Sequence, residues 1–345
     1  MNLRTGISAF AALLLANTAA AGEQELSKRV LQQDGWVSYQ VPMVADAGSP
    51  CCLESYGKHA SRTGSCDLDN RSWNISSDEH GSHSVDGTLA LYLHVEHGHI
   101  DKMRAFGAAC PIREGQQIRL LDNVGSADSI AMLSQSLAHA EFVKGDSLKD
   151  VNDIELAAIA LHADDAATAA LARLADKSHP RKLREQALFW SGQLRGKTGA
   201  ELVERVARTD PDAELRAEAI FALSESHGMD VYAAIQNISL TDSSEHVREQ
   251  AMFWMAQMGD ARAAKDITAA ISTETSEKVR EQAVFALSQL KDKQAEKALI
   301  ALMRGNYPRK VKEQALFWLG QSGSDEAMDF LDQLLSKPAH SAKEG

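Results

Sequence analysis

Four cysteines, all in the first third of the chain, are the most reactive side chains in the sequence. They are Cys51, Cys52, Cys66 and Cys110. Adjacent cysteines rarely bond to each other, so two disulfides would join 51–66 with 52–110, or 51–110 with 52–66. Two other chemistries are open to these thiols: binding a metal ion as thiolates, or acting as a reactive, redox-active thiol.

Histidines accompany the cysteines, since six of the twelve in the chain fall between His59 and His99. Thiolate and imidazole together bind zinc or copper. The candidate ligand set for this alternative is Cys51, Cys52, Cys66, His59, His80 and His83. Its spacing matches no zinc pattern, so the prediction is no metal and no other cofactor. His94, Glu96, His97 and His99 form a second candidate group, but such residues on an exposed strand and turn are usually only solvated.

No catalytic motif accompanies these residues. The sequence contains no nucleophile elbow, no phosphate-binding glycine loop and no His-Glu-x-x-His motif. Its formal charge of −12, from 36 basic and 48 acidic residues, argues against nucleic-acid binding, which needs a basic face against the phosphates. The same charge disfavours an anionic membrane surface. The sequence therefore predicts a protein that is not an enzyme.

Residues 1–21 have the pattern of a cleaved secretory signal. Arg4 precedes a short apolar stretch over residues 7–16, and Ala19-Ala20-Ala21 fits the small-residue cleavage rule. The stretch is too short for a transmembrane helix, and no other segment reaches about 18 consecutive apolar residues. We expect a mature chain that begins at Gly22 and is periplasmic or secreted. Because disulfides persist in such compartments, two disulfides are favoured over free thiols.

Residues 22–145 are predicted to form a small α+β domain rich in cysteine and histidine. Residues 36–42 alternate like a strand, and residues 89–95 alternate like a half-buried one. Further strands are predicted near residues 100–106 and 117–121, and a helix from Ser126 to about His139. Residues 45–87 are rich in Gly, Ser, Asp and Asn, which is typical of a long loop region.

The rest of the chain is an internal repeat with a period of 32 residues. Five segments align: KLREQALFWSGQ from Lys182, ELRAEAIFALSE from Glu214, HVREQAMFWMAQ from His246, KVREQAVFALSQ from Lys278 and KVKEQALFWLGQ from Lys310. A second apolar stretch with spacings of three, four and seven follows each of them, so each unit is predicted to be two antiparallel helices. One helix pair cannot bury its apolar faces alone, and stacking does so. The prediction is an all-α solenoid of about six helix pairs over 152–336, then a flexible tail over 337–345.

This array resembles the HEAT-repeat family, an armadillo-like superhelix, in the short form named for phycobilisome-lyase-like repeats. The resemblance rests on the pattern Val/Leu-Arg-x-x-Ala with an acidic residue six positions before the Arg. The matching pairs are Asp210 with Arg216, Asp242 with Arg248 and Glu274 with Arg280. In that family the acid and the Arg form a structural ladder between stacked repeats. Ser178 and Asn306 stand where the first and last units would need the acid, so the ladder is incomplete.

Two kinds of enzyme share such repeats. Deoxyhypusine hydroxylases bind two irons through His-Glu pairs, and no His in this sequence is followed by Glu. Bilin lyases act on cytosolic antenna proteins, which the secretory signal opposes. The segment from Trp36 to Cys52 before the array is similar to a group of exported bacterial proteins of uncharacterised function, and that likeness implies no site.

One face of the first helix in each unit carries an unusual row of aromatic residues. At about 100° per residue, Val247, Ala251 and Met255 lie on the packed side of the third unit, and Phe253 lies opposite. Every unit has Phe at this position, with Gln or Glu three residues before and four after. The predicted partner-binding residues are Phe189, Phe221, Phe253, Phe285, Phe317, Gln186, Gln250, Gln282, Gln314, Gln193, Gln257, Gln289 and Gln321. By resemblance, this helix lines the concave surface of a HEAT solenoid.

Packing between repeats is the alternative explanation for these Phe residues. The next position alternates, with Trp at 190, 254 and 318 and Ala at 222 and 286, which favours large-against-small packing between neighbouring units. A contiguous exposed apolar patch, by contrast, usually marks an interface.

Together these features predict an exported, non-enzymatic scaffold that binds an unidentified protein or peptide segment on its Phe/Gln face. Nucleic acid and stable membrane insertion are not expected. The alternative is a metal- or redox-responsive periplasmic sensor that acts through the Cys/His-rich domain, with zinc or copper as its ligand.

Overall fold

The computed structural model describes residues 25–32, 34–45, 54–56, 59–61, 66–69, 87–139, 149–291 and 293–336. The predicted signal peptide, the predicted tail over 337–345, Cys51, Cys52, His80 and His83 lie outside these residues. The chain divides into two compact units, Met1–Gly199 and Ala200–Gly345. Each unit is described by itself below.

The first unit is built on a small mixed sheet. The described strands are β1 (Gly35–Pro42), β2 (Glu54–Tyr56), β3 (His59–Ser61), β4 (Thr88–Glu96), β5 (His99–Gly107) and β6 (Ile118–Leu120). Four of them form one sheet in the order β5-β4-β1-β6, and β2 pairs with β3. β1 runs antiparallel to β4 and parallel to β6. His97 and Gly98 join β4 to β5 with φ angles of 53° and 76°, the left-handed conformation that tight hairpins require.

The prediction that residues 89–95 form a half-buried strand was wrong, because β4 is buried on both faces. Leu91 and Leu93 are buried on one side, and Ala90 and Tyr92 are buried on the other. The second face packs in an apolar cluster of Trp36, Cys66, Leu68, Ala90, Tyr92, Phe106 and Cys110. A segment distant in sequence, which carries Cys66 and Leu68, thus covers the face that the alternation pattern assigns to solvent.

Helices complete the first unit. They are α1 (residues 25–31), α2 (Ser126–His139), α3 (Lys149–Leu161), α4 (Ala166–Leu174) and α5 (Arg181–Leu194). The end of β1 is joined directly to the end of α3, since Val44 N donates to Leu161 O at 2.9 Å and Ala163 N donates to Pro42 O at 2.9 Å. The first helices of the repeat array therefore pack in the same compact unit as the sheet.

The second unit consists of helix pairs. Helix α6 (Gly196–Thr209) spans the division, and α7 (Ala213–Ser224), α8 (Val231–Thr241), α9 (Glu245–Gln257), α10 (Ala263–Thr273), α11 (Glu277–Ser288), α12 (Gln294–Arg304), α13 (Arg309–Ser322) and α14 (Asp325–Leu335) follow. Side chains cap several of them: Asp212 accepts from Glu214 N, Ser276 from Val279 N and Ser324 from Ala327 N. None of the described helices is long and apolar enough to cross a membrane.

A ladder of ion pairs ties successive repeats together. Arg216 donates from Nε and Nη2 to the two carboxylate oxygens of Asp242, at 2.8 Å each, and from Nη1 to the backbone oxygen of Asp210 at 2.8 Å. Arg248 binds Glu274 in the same way, at 2.8 and 3.1 Å. Each Arg therefore pairs with the acid 26 residues later, in the next repeat, whereas the acid six positions before it supplies a backbone carbonyl.

The ladder is interrupted after the third of these arginines. Arg280 donates from Nη1 to Glu274 O at 2.9 Å, as its predecessors do to the equivalent carbonyl. The residue 26 positions later is Asn306, which is exposed. Within the described chain, the buried Nε of Arg280 has no hydrogen-bond acceptor.

Candidate functional site

Six aromatic rings form a continuous row across four helices of the second unit. We call this row the aromatic ribbon; in spatial order it consists of Phe221, Trp254, Phe253, Phe285, Trp318 and Phe317. Successive ring centroids lie 4.9, 5.3, 6.3, 5.2 and 5.0 Å apart. Aromatic rings attract one another at these separations, so the rings stabilise the row as well as line it.

The rings are neither fully buried nor fully exposed. Phe317 is 53% exposed, and the other five rings are half-buried. The two explanations offered for the repeated Phe both describe part of this arrangement. One side of each ring contacts a neighbouring ring, and the remaining surface faces solvent.

The alternation of Trp and Ala determines which ring each Phe meets. Phe221 and Phe285, whose own repeats carry Ala, each lie against the Trp of the following repeat, Trp254 and Trp318. Phe253, whose own repeat carries Trp, stacks on Phe285 with an angle of 8° between the ring planes. Ala222 and Ala286 are buried. The ring contacts thus join Trp to Phe across repeats, and the large-against-small interpretation of the Trp and Ala alternation stays a prediction.

Amide side chains border the ribbon on the same helices. Gln250, Gln257, Gln289 and Gln314 are half-buried, whereas Gln282 and Gln321 are exposed. Glu218 and Glu225 occupy the equivalent positions on α7 and are exposed. An amide offers both a donor and an acceptor, which are the two groups that a polypeptide backbone needs.

Ion pairs between repeats lie along the beginnings of the ribbon helices. Lys278 Nζ is 3.0 Å from Glu249 Oε1, and Lys310 Nζ is 2.8 Å from Glu277 Oε1. Hydrogen bonding from Lys310 lowers the pKa of the Glu277 carboxyl. Both lysines are engaged with carboxylates, and the carboxylate of Glu218 is exposed at the same border.

One donor at the ribbon lacks an acceptor. Trp318 lies between Phe285 and Phe317, and its Nε1 is buried with no hydrogen-bond partner among the described residues. A buried N–H without an acceptor costs about 1–3 kcal/mol, so this donor lowers the stability of the last repeat.

The predicted site residues of α5 lie in the first unit. Phe189 is half-buried, with its ring centroid 5.1 Å from that of Trp190, and Gln186 and Gln193 are also half-buried. They repeat the ribbon chemistry on the helix that precedes the second unit in sequence.

The cysteines that the structure describes are not free thiols. Cys66 and Cys110 are disulfide-bonded and lie in the apolar cluster behind β4. Because Cys51 and Cys52 are not described, the two predicted pairings stay predictions. His59 falls in β3, and the described residues contain no group of three or more His, Cys, Asp or Glu that is arranged to hold a metal ion.

The second candidate metal group is divided among separate roles. His94 Nδ1 donates to Asp101 Oδ1 at 2.6 Å, and its ring packs edge-on against Trp36 with centroids 5.1 Å apart. His97 forms the hairpin turn with its side chain 85% exposed, and His99 and Glu96 are also exposed.

A buried polar chain in the first unit was not foreseen from the sequence. His162 Nδ1 donates to Ala158 O at 2.6 Å, so its Nε2 accepts from Ser129 Oγ at 2.9 Å, and Tyr39 OH lies 2.9 Å from Ser129 Oγ. Burial lowers the pKa of His162 to about 4, so the ring is neutral. Tyr39, Ser129 and His162 are each at most 1% exposed, so no substrate reaches this Ser–His pair.

Arg195 holds the end of α3 next to this chain. Its Nη1 donates to Ala160 O at 3.1 Å and to His162 O at 2.6 Å, and its Nη2 donates to Asp164 O at 3.0 Å. The sequence carries one signal of this role, because no later repeat has arginine at the position of Arg195. The equivalent residues are His227, Gly259, Lys291 and Gly323.

A comparison with known families finds a match within the second unit. Residues 232–316 and 265–344 match HEAT repeats. A comparison with curated proteins gives no match.

Solved structures with similar folds include proteins of different activities. YibA from Escherichia coli is 19% identical over 59% of this chain and 73% of its own, with a TM-score of 0.36. Human deoxyhypusine hydroxylase is 18% identical over 61% of this chain and 80% of its own, with a TM-score of 0.26. The CpcE–CpcF complex of phycocyanin lyase from Nostoc is 18% identical over 61% and 82%, with a TM-score of 0.27. At these identities and scores the likeness carries no argument about activity.

Proposed function

We propose that this chain, whose residues 232–344 match HEAT repeats, is an exported, non-enzymatic scaffold that holds an extended segment of another protein along the aromatic ribbon. The observation that carries the proposal is the continuous row of six half-exposed rings across α7, α9, α11 and α13. Contiguous apolar surface of this kind usually marks an interface, whereas single exposed apolar residues do not.

The border of the ribbon favours a basic segment as the partner. Glu218 and Glu225 are exposed beside it, and the whole chain carries a formal charge of −12. Arginine and lysine are attracted to aromatic ring faces as well as to carboxylates. The segment's apolar side chains would pack between rings, its carbonyl oxygens would accept from the glutamine amides, and its basic side chains would meet the acidic border.

Binding rather than catalysis is further supported by the chemistry at the ribbon. Its rings are flanked by amides and paired charges, and the Ser129–His162 pair is closed to solvent. The disulfide-bonded state of Cys66 and Cys110 favours a stapled first unit over a thiol-based sensor. The signal predicted over residues 1–21 supports a location in a periplasm or outside the cell.

The test uses the mature chain, purified from a periplasmic fraction, and two synthetic 12-residue peptides. One peptide repeats the triplet Arg-Leu-Ala, and the other has Glu in place of Arg. Binding is measured by isothermal titration calorimetry and by tryptophan fluorescence. We expect the basic peptide to bind at least about tenfold more tightly than the acidic one, and Phe253→Ser to weaken that binding at least about tenfold.

The matched control is Leu240→Ser, because Leu240 is as exposed as Phe317, at 53%, but lies on α8, away from the ribbon. This variant should bind the basic peptide as the unmodified chain does. Binding that persists unchanged in Phe253→Ser and Phe317→Ser, with the helical circular dichroism intact, would refute the ribbon as the binding surface.

A further inference from the structure

The last helix pair exposes an unusual amount of apolar surface. Eight large apolar side chains are exposed in the described part of the chain, and five of them lie on α13 and α14. They are Leu316, Phe317, Met328, Leu334 and Leu335, at 38%, 53%, 49%, 39% and 82% exposure. Contiguous exposed apolar surface at the end of a stacked array requires a cover.

The repeat period shows that this surface is normally internal. The residues one, two and three repeats before Leu316 are Val284, Met252 and Ile220, which are 0%, 1% and 0% exposed. The residue one repeat before Leu334 is Leu302, at 0%. The residues one and two repeats before Leu335 are Met303, which is half-buried, and Ile271, at 1%. In each earlier repeat the following helix pair contacts this face, as α13 contacts α11 and α14 contacts α12. The face of α13–α14 therefore has the composition of an inter-repeat contact without its cover.

Residues 337–345, KPAHSAKEG, contain no leucine, isoleucine, valine, methionine or aromatic side chain. A surface that packs helix pairs inside the array fits another helix pair of the same kind best.

Charge favours the same face of a second copy as that helix pair. Helix α13 carries Arg309, Lys310, Lys312 and Glu313. Lys310 already pairs with Glu277 and Arg309 with Glu313, so Lys312 is its cation without an ion pair among the described residues. Helix α14 carries four anions and no cation, namely Asp325, Glu326, Asp329 and Asp332. A two-fold axis that sets α13 of one copy against α14 of the other pairs opposite charges twice, and it buries both apolar faces in one closed contact.

We propose that two copies of this chain associate through their α13–α14 faces in a symmetric dimer, with each α13 against the partner's α14. The contact buries Leu316, Leu334 and Leu335 as their equivalents are buried inside the array. Because the closed contact uses the exposed face of both copies, assembly stops at two.

The test is sedimentation velocity on the full mature chain between 1 and 100 µM. The expected result is a species of twice the chain mass that dissociates on dilution. The double variant with Met328→Ser and Leu335→Ser should weaken the dimer at least about tenfold, because it removes two apolar side chains from the contact. Both residues are largely exposed, so circular dichroism should be unchanged.

Leu240→Ser is the control here as well, since it removes a leucine that is 53% exposed, close to the 49% of Met328, from another surface. This variant should leave the dimer intact. A chain that is monomeric at 100 µM overturns the proposal, as does a dimer insensitive to the double variant or a series of larger oligomers. The result is independent of the ribbon proposal, because neither Met328 nor Leu335 is part of the ribbon.

Discussion

The interrupted ladder leads to a test in which one substitution should stabilise the array. Arg216 and Arg248 each hold a carboxylate of the next repeat with two hydrogen bonds, and Arg280 lacks that carboxylate because Asn306 occupies the position. Asn306→Asp supplies it with a side chain of nearly the same size. We expect the substitution to raise the free energy of unfolding.

The size of the gain follows from the pairs already present. In the Arg216–Asp242 pair the side chains are only 10% and 6% exposed, so water screens the bonds weakly. Two charge-assisted bonds are stronger than the roughly 0.2–1 kcal/mol of an exposed ion pair, but desolvation of the new carboxylate offsets part of the gain. Asp242 also accepts from Ser244 N, whereas the corresponding residue of the last pair is Pro308, which has no N–H. We therefore expect about 1–2 kcal/mol, which for a chain of this length is about 1.5–3 °C in the melting temperature.

The assay is thermal and urea unfolding of the full chain, followed by circular dichroism, within a double-mutant cycle. Asn306→Asp is made in the original chain and in an Arg280→Gln background, and Asn306→Gln is the uncharged control. The reasoning is refuted if the gain is as large without the Arg280 guanidinium, or if the uncharged control stabilises equally.

The gain should also depend on pH. Burial acts to raise the pKa of Asp242, but hydrogen bonds from Arg216 and Ser244 N outweigh it and hold that pKa below its ordinary value. A lowered pKa in the folded state gives stability that is present above the unfolded pKa and lost as pH falls through the folded one. The new carboxylate should therefore stabilise the chain at pH 7 and cease to do so in strong acid.

Two further predictions concern single residues. A Cβ on Gly199 would lie 1.9 Å from Ser191 O, so Gly199→Ala should lower the free energy of unfolding by about 1–3 kcal/mol in urea unfolding. Gly320→Ala is the control, because no atom lies within 4 Å of its Cβ, and it should stabilise α13 by up to about 1 kcal/mol. Equal effects of the two substitutions would contradict the close approach of Gly199 to Ser191. Burial raises the pKa of Glu155 to about 7, and a hydrogen bond from Ser136 opposes this rise. The folded chain therefore favours the neutral carboxyl, so its contribution to the free energy of unfolding is fully present below pH 4.5 and is lost as pH rises through 7. Glu155→Gln should stabilise the chain by about 3 kcal/mol at pH 8.5 and barely at pH 4.5, and a difference independent of pH would show that Glu155 is not buried as described.

Local patterns in the sequence predicted the elements well where the period is strong. The strand predicted over 36–42 is β1, the strand predicted near residues 100–106 is β5, and the helix predicted from Ser126 is α2. The 32-residue period predicted the helix pairs, which match HEAT repeats over 232–344. In these segments the side-chain alternation and the turn residues agree, so local and global preferences coincide.

Long-range contacts were less predictable, because periodicity does not say which element covers a face. The second face of β4 is buried by a segment with Cys66 and Leu68, and no pattern within β4 indicates that. The sequence pattern found the arginines and acids of the ladder, but the carboxylate partner of each Arg lies 26 residues later rather than six residues before. For the same reason the sequence could place all five Phe on one helix face without predicting which rings they would contact.

The contacts between the repeats of α9 and α11 explain how half-exposed rings are held in a fixed row. Arg248 binds Glu274, Lys278 binds Glu249, and Phe253 stacks on Phe285. Glu249 and Phe253 lie four residues apart on one face of α9 and Arg248 lies on an adjacent face, so together the three links fix both the distance and the rotation between the two repeats. The rings therefore do not need to be buried to be held in place, and their exposed surface stays available to a partner. This combination of fixed spacing and partial exposure is what an extended binding surface requires, because a partner then loses little free energy in ordering it.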